Sequence, residues 1–540
     1  MGAGVTLMLG AVSAVQAMPI DTGNEDLTVN FDNTVKYSGA SRVKSAIPAL
    51  LGNPNTDDGD RNFGKGLISN RMDLLSEFDM VYAKRYGLRL SGAAWYDSVY
   101  NRSNDNPGFA GGAFPNQISV PYNEFTDATR DLHGRKAEML DAFVFGSFDV
   151  GDKTVSMRLG RHSLLWGESL FLGNNAIAGT MSPVDVVKLA SVPNTQFKEA
   201  IRPVPQWSGS IQLASTLSVG AFYQFGWQPY RLPAVGSYFS AVDMLPDGGE
   251  QLLLGPGLAA PRFGDQKPKD SGQGGLQLRL RADETDYGLY LVRFHSKVPQ
   301  MVLMLGPSPF GAVPFGYRLA YQEGITAFGA SASRTFGDLN LAAEASIRHN
   351  QDLASSRAVD ASALAPGVIA PTNNSNNPAY AVGNTAHMNL NAIWTLPRTP
   401  LFAEGTLMGE LGWNRALSVT KNAAALDPNA TRDAWGLRMQ VEPMYRQVVG
   451  GLDLGVPIGV GYSPRGSRSM ALGPAAWTPD GGGDVTIGLN GTYLDVWRFS
   501  LAYTHYFGSA GSFINSAGTY SYAQALRDRD FIAFSLRRTF

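Results

Sequence analysis

The sequence predicts an all-β chain, a transmembrane antiparallel up-and-down β-barrel of about eighteen strands, between roughly sixteen and twenty. Three observations predict it. The chain ends on Phe531 to Phe540, in which Ile532, Phe534, Leu536, Arg538 and Phe540 share one side and Ala533, Ser535, Arg537 and Thr539 the other. That period of two, mostly apolar against mostly polar or small, is the pattern of a strand whose faces meet different solvents. The pattern then recurs from end to end of the chain, and very short turns alternate with long Gly/Pro/Asn-rich connections, the asymmetry of an outer-membrane barrel.

A chain that closes on such a strand with a terminal Phe resembles bacterial outer-membrane β-barrel proteins. The resemblance implies that Phe534, Leu536 and Phe540 form the signal read by the barrel-insertion machinery and that this strand seals the barrel. Outer-membrane lipid and lipopolysaccharide then surround the wall. Arg537 falls on the lumen side, whereas Arg538 has lipid parity and is tolerable near the periplasmic interface.

The segments read in order as 27–43, 68–83, 86–100, 135–149, 153–166, 207–214, 217–227, 273–281, 287–298, 317–336, 339–350, 384–396, 402–419, 433–449, 452–466, 483–494, 498–511 and 529–540. Leu88, Leu90 and Tyr96 alternate with Arg89, Ser91 and Asp97; Leu276, Leu278 and Leu280 with Gln277, Arg279 and Arg281; Leu341, Ala343, Ala345 and Ile347 with Glu344 and Arg348. The same holds for Leu407, Leu411 and Trp413, for Trp435, Leu437 and Met439, and for Val485, Ile487 and Leu489. A helical period would wrap the charges around every face instead of holding them to one. Segment 317–336 alternates poorly. An even strand number puts both termini on the periplasmic side.

Short turns are read at 84–87, 149–152, 282–286, 337–338, 450–451 and 495–497, and long connections at 44–67, 101–134, 167–206, 228–272, 299–316 and 351–383. Two of the long ones have internal character. In 167–206, Ser182 as N-cap, Pro183 at the first helical position and Asp185 in the first turn predict a short helix to Ala190, which either folds inward as a constriction or plug or lies on the surface. In 228–272, Val242 to Leu245 and Leu252 to Leu254 carry apolar side chains that a solvated loop does not need, so this loop packs inside the mouth or serves a partner.

Composition bounds the rest. The 540 residues are 44% hydrophobic and 17% charged, with 61 Gly, 11% aromatics, no Cys and a net charge of −2. Absent Cys excludes disulfides and thiolate metal or redox sites. The charge balance, with no basic run, argues against nucleic acid as a partner. Beyond the N-terminus no run nears the about eighteen apolar residues of a helical span. Residues 1–17 read as a secretory signal, with an apolar stretch from Ala3 to Ala14 and a small-residue cleavage site at Val15-Gln16-Ala17, although the usual positive region is missing; the alternative is a buried first helix. Residues 18–540 then form a single barrel domain.

Strand parity assigns a charged lumen lining: Arg89, Asp97, Asp141, Arg158, His162, Arg279, Arg281, Arg293, His295, Glu344, Arg348, Glu404, Glu410, Arg438 and Glu442. These are wall-forming Arg–carboxylate networks or a selectivity lining, and neither sign predominates. The cluster Arg158, Arg161, His162, Trp166 and Glu168 reads as a wall network, with Arg161 on the apolar side near the strand's outer end. The acidic stretch Asn53 to Asn62 is rich in oxygen ligands but lacks EF-hand spacing and reads as a turn-rich extracellular loop. No metal or cofactor is assigned. Neither G-x-S-x-G nor H-E-x-x-H occurs, and a Ser/His pair through His162, His295 or His505 is the remaining route to an enzyme; the reading is a non-enzyme.

The stretch Asn55 to Asp79, N-T-D-D-G-D-R-N-F-G-K-G-L-I-S-N-R-M-D-L-L-S-E-F-D, resembles a proteobacterial outer-membrane family carrying a large domain of unknown function. So do Phe31 to Val43, Leu159 to Ser169 (L-G-R-H-S-L-L-W-G-E-S) and Met181 to Asp185 (M-S-P-V-D). Members are often encoded beside inner-membrane transporters of the resistance–nodulation–division type and a periplasmic lipid-carrier-like protein. The resemblance implies movement of a hydrophobic or amphipathic, lipid-like molecule across the envelope with those partners. A general or solute-selective diffusion porin and a structural or adhesion barrel are the alternatives.

Overall fold

The structure, a computed structural model, describes residues 18–108, 115–193, 196–309, 311–473 and 479–540. The expected signal segment 1–17 lies outside the described residues. One sheet of twenty segments dominates. Two of these are halves of one interrupted strand and one is a short N-terminal strand, so eighteen staves close the barrel. They are β1 (Leu27–Arg42), β2 (Gly66–Tyr82), β3 (Tyr86–Asp97), β4 (Arg135–Val150), β5 (Lys153–His162), β6 (Val204–Ala214), β7 (Leu217–Gln224), β8 (Gln273–Ala282) and β9 (Thr285–Phe294). The ring continues through β10 (Ile325–Phe336), β11 (Leu339–Asp352), β12 (Val382–Leu396), β13 (Glu404–Lys421), β14 (Asp433–Val449), β15 (Leu452–Gly455 with Ile458–Ser463), β16 (Gly482–Tyr493), β17 (Trp497–Phe507) and β18 (Phe531–Thr539).

Each stave pairs antiparallel with the next, and β18 returns to β1 in register from Thr34 opposite Thr539 to Arg42 opposite Phe531. The seam has a second component. The strand Met18–Ile20 pairs with Val29 to Phe31, along the part of β1 that β18 does not reach. Between the two, Asn33 and Phe540 exchange both backbone hydrogen bonds, at 3.1 and 2.9 Å.

Register sorts the side chains. Leu289, Leu291, Phe328, Ile347, Leu390, Ile487, Leu501 and Ile532 are exposed on the outside. At the short-turn rim Tyr82, Tyr86, Tyr287, Phe336, Trp394, Tyr493, Trp497 and Phe540 form an exposed aromatic belt, the girdle expected at a membrane interface. Arg538 sits in this belt, its guanidinium 5.1 Å from the Trp497 ring and 4.6 Å from that of Phe540. That is how a cation of lipid parity is tolerated. The hairpin turns are tight. Ala83 and Lys84, Asp283 and Glu284, and Leu494 and Asp495 all have positive φ between 48° and 64°, the backbone that matches strand twist in two-residue hairpins.

Three sequence expectations change. Segment 317–336 is not one strand: Gly311–Ala320 pairs with Gln300–Ser308 in a loop hairpin, and the stave is Ile325–Phe336. The poor alternation came from fusing the two. The predicted helix begins later, at Val186–Ser191, and Asp185 is its cap, accepting from Lys188 N–H at 3.0 Å. Ser182 instead donates to Leu164 O. Stave β15 breaks at Val456-Pro457, where proline has no N–H for the ladder.

At the other rim the long connections pack together. Trp227, Met244, Leu245 and Leu252 from one loop meet Tyr317, Leu319 and Tyr321, Ala354, and Ile514, Tyr520 and Tyr522 from three others in a dry core. The apolar residues of 228–272 therefore build a dome over the mouth.

Candidate functional site: the loop-filled lumen

The connection 163–203 folds into the barrel and lies against the inner wall from β7 to β14. Its attachment is made by two buried wall carboxylates. Glu344 on β11 accepts from Glu168 N–H at 2.8 Å and from Ile177 N–H. Glu410 on β13 accepts from three successive backbone N–H groups, Leu170 at 3.1 Å, Phe171, and Leu172 at 2.7 Å. Both carboxylates have lumen parity because β11 and β13 place apolar residues at the odd positions. A carboxylate receiving two or three N–H groups satisfies donors that a non-repetitive loop would otherwise bury without partners.

Arg348 completes the clamp, donating to the carbonyls of Asn174, Asn175 and Ala176 at 2.9–3.0 Å. Asn175 reaches Met388 O, Asn389 and Trp413 O and accepts from the His387 and Asn414 side chains. Asn391 donates to Glu168 O. The polar run His387, Asn389 and Asn391 carries no carboxylate or guanidinium and so lies outside the charged lining, though its alternation with Met388 and Leu390 marks it as lumen-facing.

The other contact of the loop is apolar. Trp166, Ile177 and Met181 pack on Phe222 of β7, Tyr290, Val292 and Phe294 of β9, and Ile325 and Ala327 of β10. The lumen side of β7, β9 and β10 is thus apolar beneath the inward loop, while β8 between them contributes Gln277, Arg279 and Arg281.

The opposite wall is charged. Arg89 meets Asp79 at 2.7 Å, Glu77, and Asp141 at 3.6 Å. Asp73 receives Arg71 at 2.6 Å and Lys36 at 3.5 Å. Arg438 pairs with Asp484 at 3.1 Å and lies 6.0 Å from the Phe171 ring of the loop. Arg158 stacks over Phe143 at 5.7 Å. Glu442 accepts from Asn490, and Glu404 pairs with Arg446 toward the short-turn rim. Arg279 and Arg281 are exposed on the lumen side of β8. Asp97, at the loop end of β3, accepts from Ser69 and from the N–H groups of Asn70 and Val99. The inward loop also reaches this wall: Arg231, from the next connection, bridges Asp185 of the loop at 2.8 Å and Glu138 of β4.

Two residues expected in the lining lie elsewhere. Arg293 is exposed on the outer face with Leu289 and Leu291, because the lumen set of β9 is even-numbered. His295 lies beyond the end of β9 and clips the loop layer, with Ser271 O at 3.0 Å and Gly324 N–H donating to its Nδ1. His162 does meet a serine, Ser208 at 2.8 Å, but both are buried, and the other ring nitrogen faces Gly160 O instead of a carboxylate. Arg161 points to the outer side and donates to Leu140 O. Phe534 and Phe540 are exposed outside, and Leu536 is half-buried.

The extracellular stretch Asn53 to Asn62 is a structural node. Asp60 receives Arg529 through two nitrogens at 3.1 and 2.9 Å and Arg42 at 2.9 Å, and Arg42 also meets Asp528 at 3.2 Å. All four side chains are buried. They join the dome to both strands of the seam.

A closed ring of strands, an apolar outside with an aromatic belt and a charged, loop-filled inside define a porin-like transmembrane β-barrel of the bacterial outer membrane. The chain belongs to the family described as protein of unknown function (DUF1302), which it matches over residues 1–540. A comparison with curated proteins finds no match. Among solved structures, the chain is similar to Acinetobacter baumannii OccAB1 (10% identity, 95% of this chain and 96% of that one, TM-score 0.41) and to Pseudomonas aeruginosa OccK2 in complex with glucuronate (11%, 95% and 97%, 0.39). It is also similar to Salmonella typhi OmpF in complex with daunomycin (8%, 97% and 100%, 0.35).

Proposed function

We propose that this protein is a gated outer-membrane conduit for a hydrophobic or amphipathic, lipid-like molecule, closed at rest by loop 163–203 and by the dome. The observation that carries the reading is the apolar patch that β7, β9 and β10 present beneath Trp166, Ile177 and Met181. Release of the loop would expose an apolar strip facing the charged wall of β2 to β4, a lining suited to a molecule with a tail and a polar head. The family resemblance supplies the partners of this proposal, a periplasmic carrier at the short-turn rim and an inner-membrane transporter beyond it.

Solute diffusion is the second reading, favoured by the paired charges around Arg89 and Arg438. Native mass spectrometry of the protein extracted with its membrane lipid, combined with liposome swelling, separates the two. The conduit reading expects a retained lipid-like ligand that is lost on Val292→Glu, and no swelling with sugars or amino acids. Rapid swelling with no retained ligand contradicts it.

A further inference from the structure

Beside the Asp60 node lies a second acidic group that the node does not neutralise. Asp57, Asp58 and Asp243 are buried, and each offers a carboxylate oxygen within 4.8 Å of the other two. Some of their oxygens are engaged. Asp57 Oδ2 accepts from Arg61 at 2.6 Å, Asp58 Oδ2 from Gln117 at 3.2 Å, and Asp243 Oδ2 from Asp58 N–H at 3.2 Å. Asp57 Oδ1 and Asp243 Oδ1, on side chains fully shielded from solvent, have no hydrogen-bond partner among the described residues. A third such oxygen, Asn116 Oδ1, is close by: Asn116 donates to Asn55, whose carbonyl accepts the Asp243 N–H.

The charges point the same way. Arg42 and Arg529 are matched by Asp60 and Asp528. Three carboxyl groups then face one guanidinium within salt-bridge distance among the described residues, that of Arg61. Buried carboxylates without countercharge are costly. A cavity of ≈ 20 Å³ reaches Asp58, Asn62 and Gln117, room for about one water molecule beside Asp58.

We propose that Asp57, Asp58 and Asp243 bind one hard divalent cation, of the Ca²⁺ class, that fastens loop 43–65 to loop 225–272 across the dome. All-oxygen ligands with flexible geometry suit Ca²⁺ better than the strict octahedron of Mg²⁺. Gln117, which also donates to Asp243 O at 2.9 Å, brings loop 98–134 to the same point. The cation would cross-link two dome loops that the sequence separates widely, with the third hydrogen-bonded beside it.

The test uses the full chain purified in detergent, stripped with a chelator, dialysed and titrated with CaCl2 by calorimetry. The expected result is one Ca²⁺ per chain, with Kd of about 10⁻⁴ M or tighter, as for extracellular sites. The Asp58→Asn/Asp243→Asn double variant, verified as a folded barrel by heat-modifiable gel migration, should bind at least about 100-fold more weakly. A measurement that needs no variant is limited proteolysis of loop 225–272, which Ca²⁺ should protect and chelator expose. Absence of saturable binding up to millimolar Ca²⁺ overturns the proposal. Equal binding by wild type and double variant, the mark of calcium held on co-purified lipopolysaccharide, also overturns it, as does proteolysis indifferent to Ca²⁺.

Discussion

Single residues set the closure of this barrel. Gly167 enters the inward loop at φ +91°, and a Cβ there would stand 2.2 Å from Glu344 Oε2. Gly167→Ala therefore both strains the backbone and displaces a carboxylate that holds the loop. We expect it to weaken the closed loop by about 1–3 kcal/mol, read as faster hydrogen exchange at Leu170 to Leu172. Asp60 holds two buried arginines. Asp60→Asn removes the ion pair of Arg529 and leaves Arg42 with Asp528 alone, and should lower dome stability by roughly 3–5 kcal/mol, read as protease sensitivity of loops 43–65 and 508–530 while the strands persist. His133 supplies a pH dependence. Buried, with Arg71 and Arg231 nearby, it is pushed down from 6.5 to about 3, and its Nε2 accepts from Ala234 N–H at 3.1 Å. Between about 6.5 and about 3 the unfolded segment carries a proton that the folded one lacks, so local stability falls as pH drops through that window, by at most about 1.4 kcal/mol per unit. Proteolysis of loop 98–134 should accelerate on acidification, and His133→Gln should flatten the profile.

At the scale of elements, legibility followed solvent contrast. The strands facing lipid on one side and lumen on the other announced themselves by period two, down to Glu344, Glu410 and Arg438 on the inner face. Where one side met no lipid, the signal failed. Gly311–Ala320 packs against other loops and carries no usable alternation, so it merges in sequence with β10; β9 does face lipid, but Tyr290, Val292 and Phe294 make its lumen side equally apolar, so parity misplaces Arg293. The inward course of loop 163–203 was open from sequence because its anchors are backbone N–H groups, which leave no trace in residue identity. The acidic stretch was legible in composition but not in partners, since Arg529 and Asp243 come from distant loops. The loop itself should behave as one unit. Glu410→Ala removes the acceptor of three N–H groups, each worth about 1–3 kcal/mol when left buried and unpaired. The variant should free residues 168–177 together, seen as concerted loss of exchange protection, with β11 and β13 unchanged.

The whole molecule combines a closed ring of paired strands with an interior filled by loops. Its seam is closed by β18, and Met18–Ile20 pairs along the rest of β1, so the proposed gate is the loop and dome rather than the wall. The apolar strip under the loop gives the proposed cargo its path, and the two carboxylates give the gate its latch. The most direct measurement is single-channel conductance in planar bilayers, comparing wild type with Glu344→Ala/Glu410→Ala. The account predicts a wild type that is silent or only flickers and a double variant with a large, frequently open current. A large steady current from the wild type, equal to that of the variant, would contradict the closed-conduit account and leave an open porin in its place.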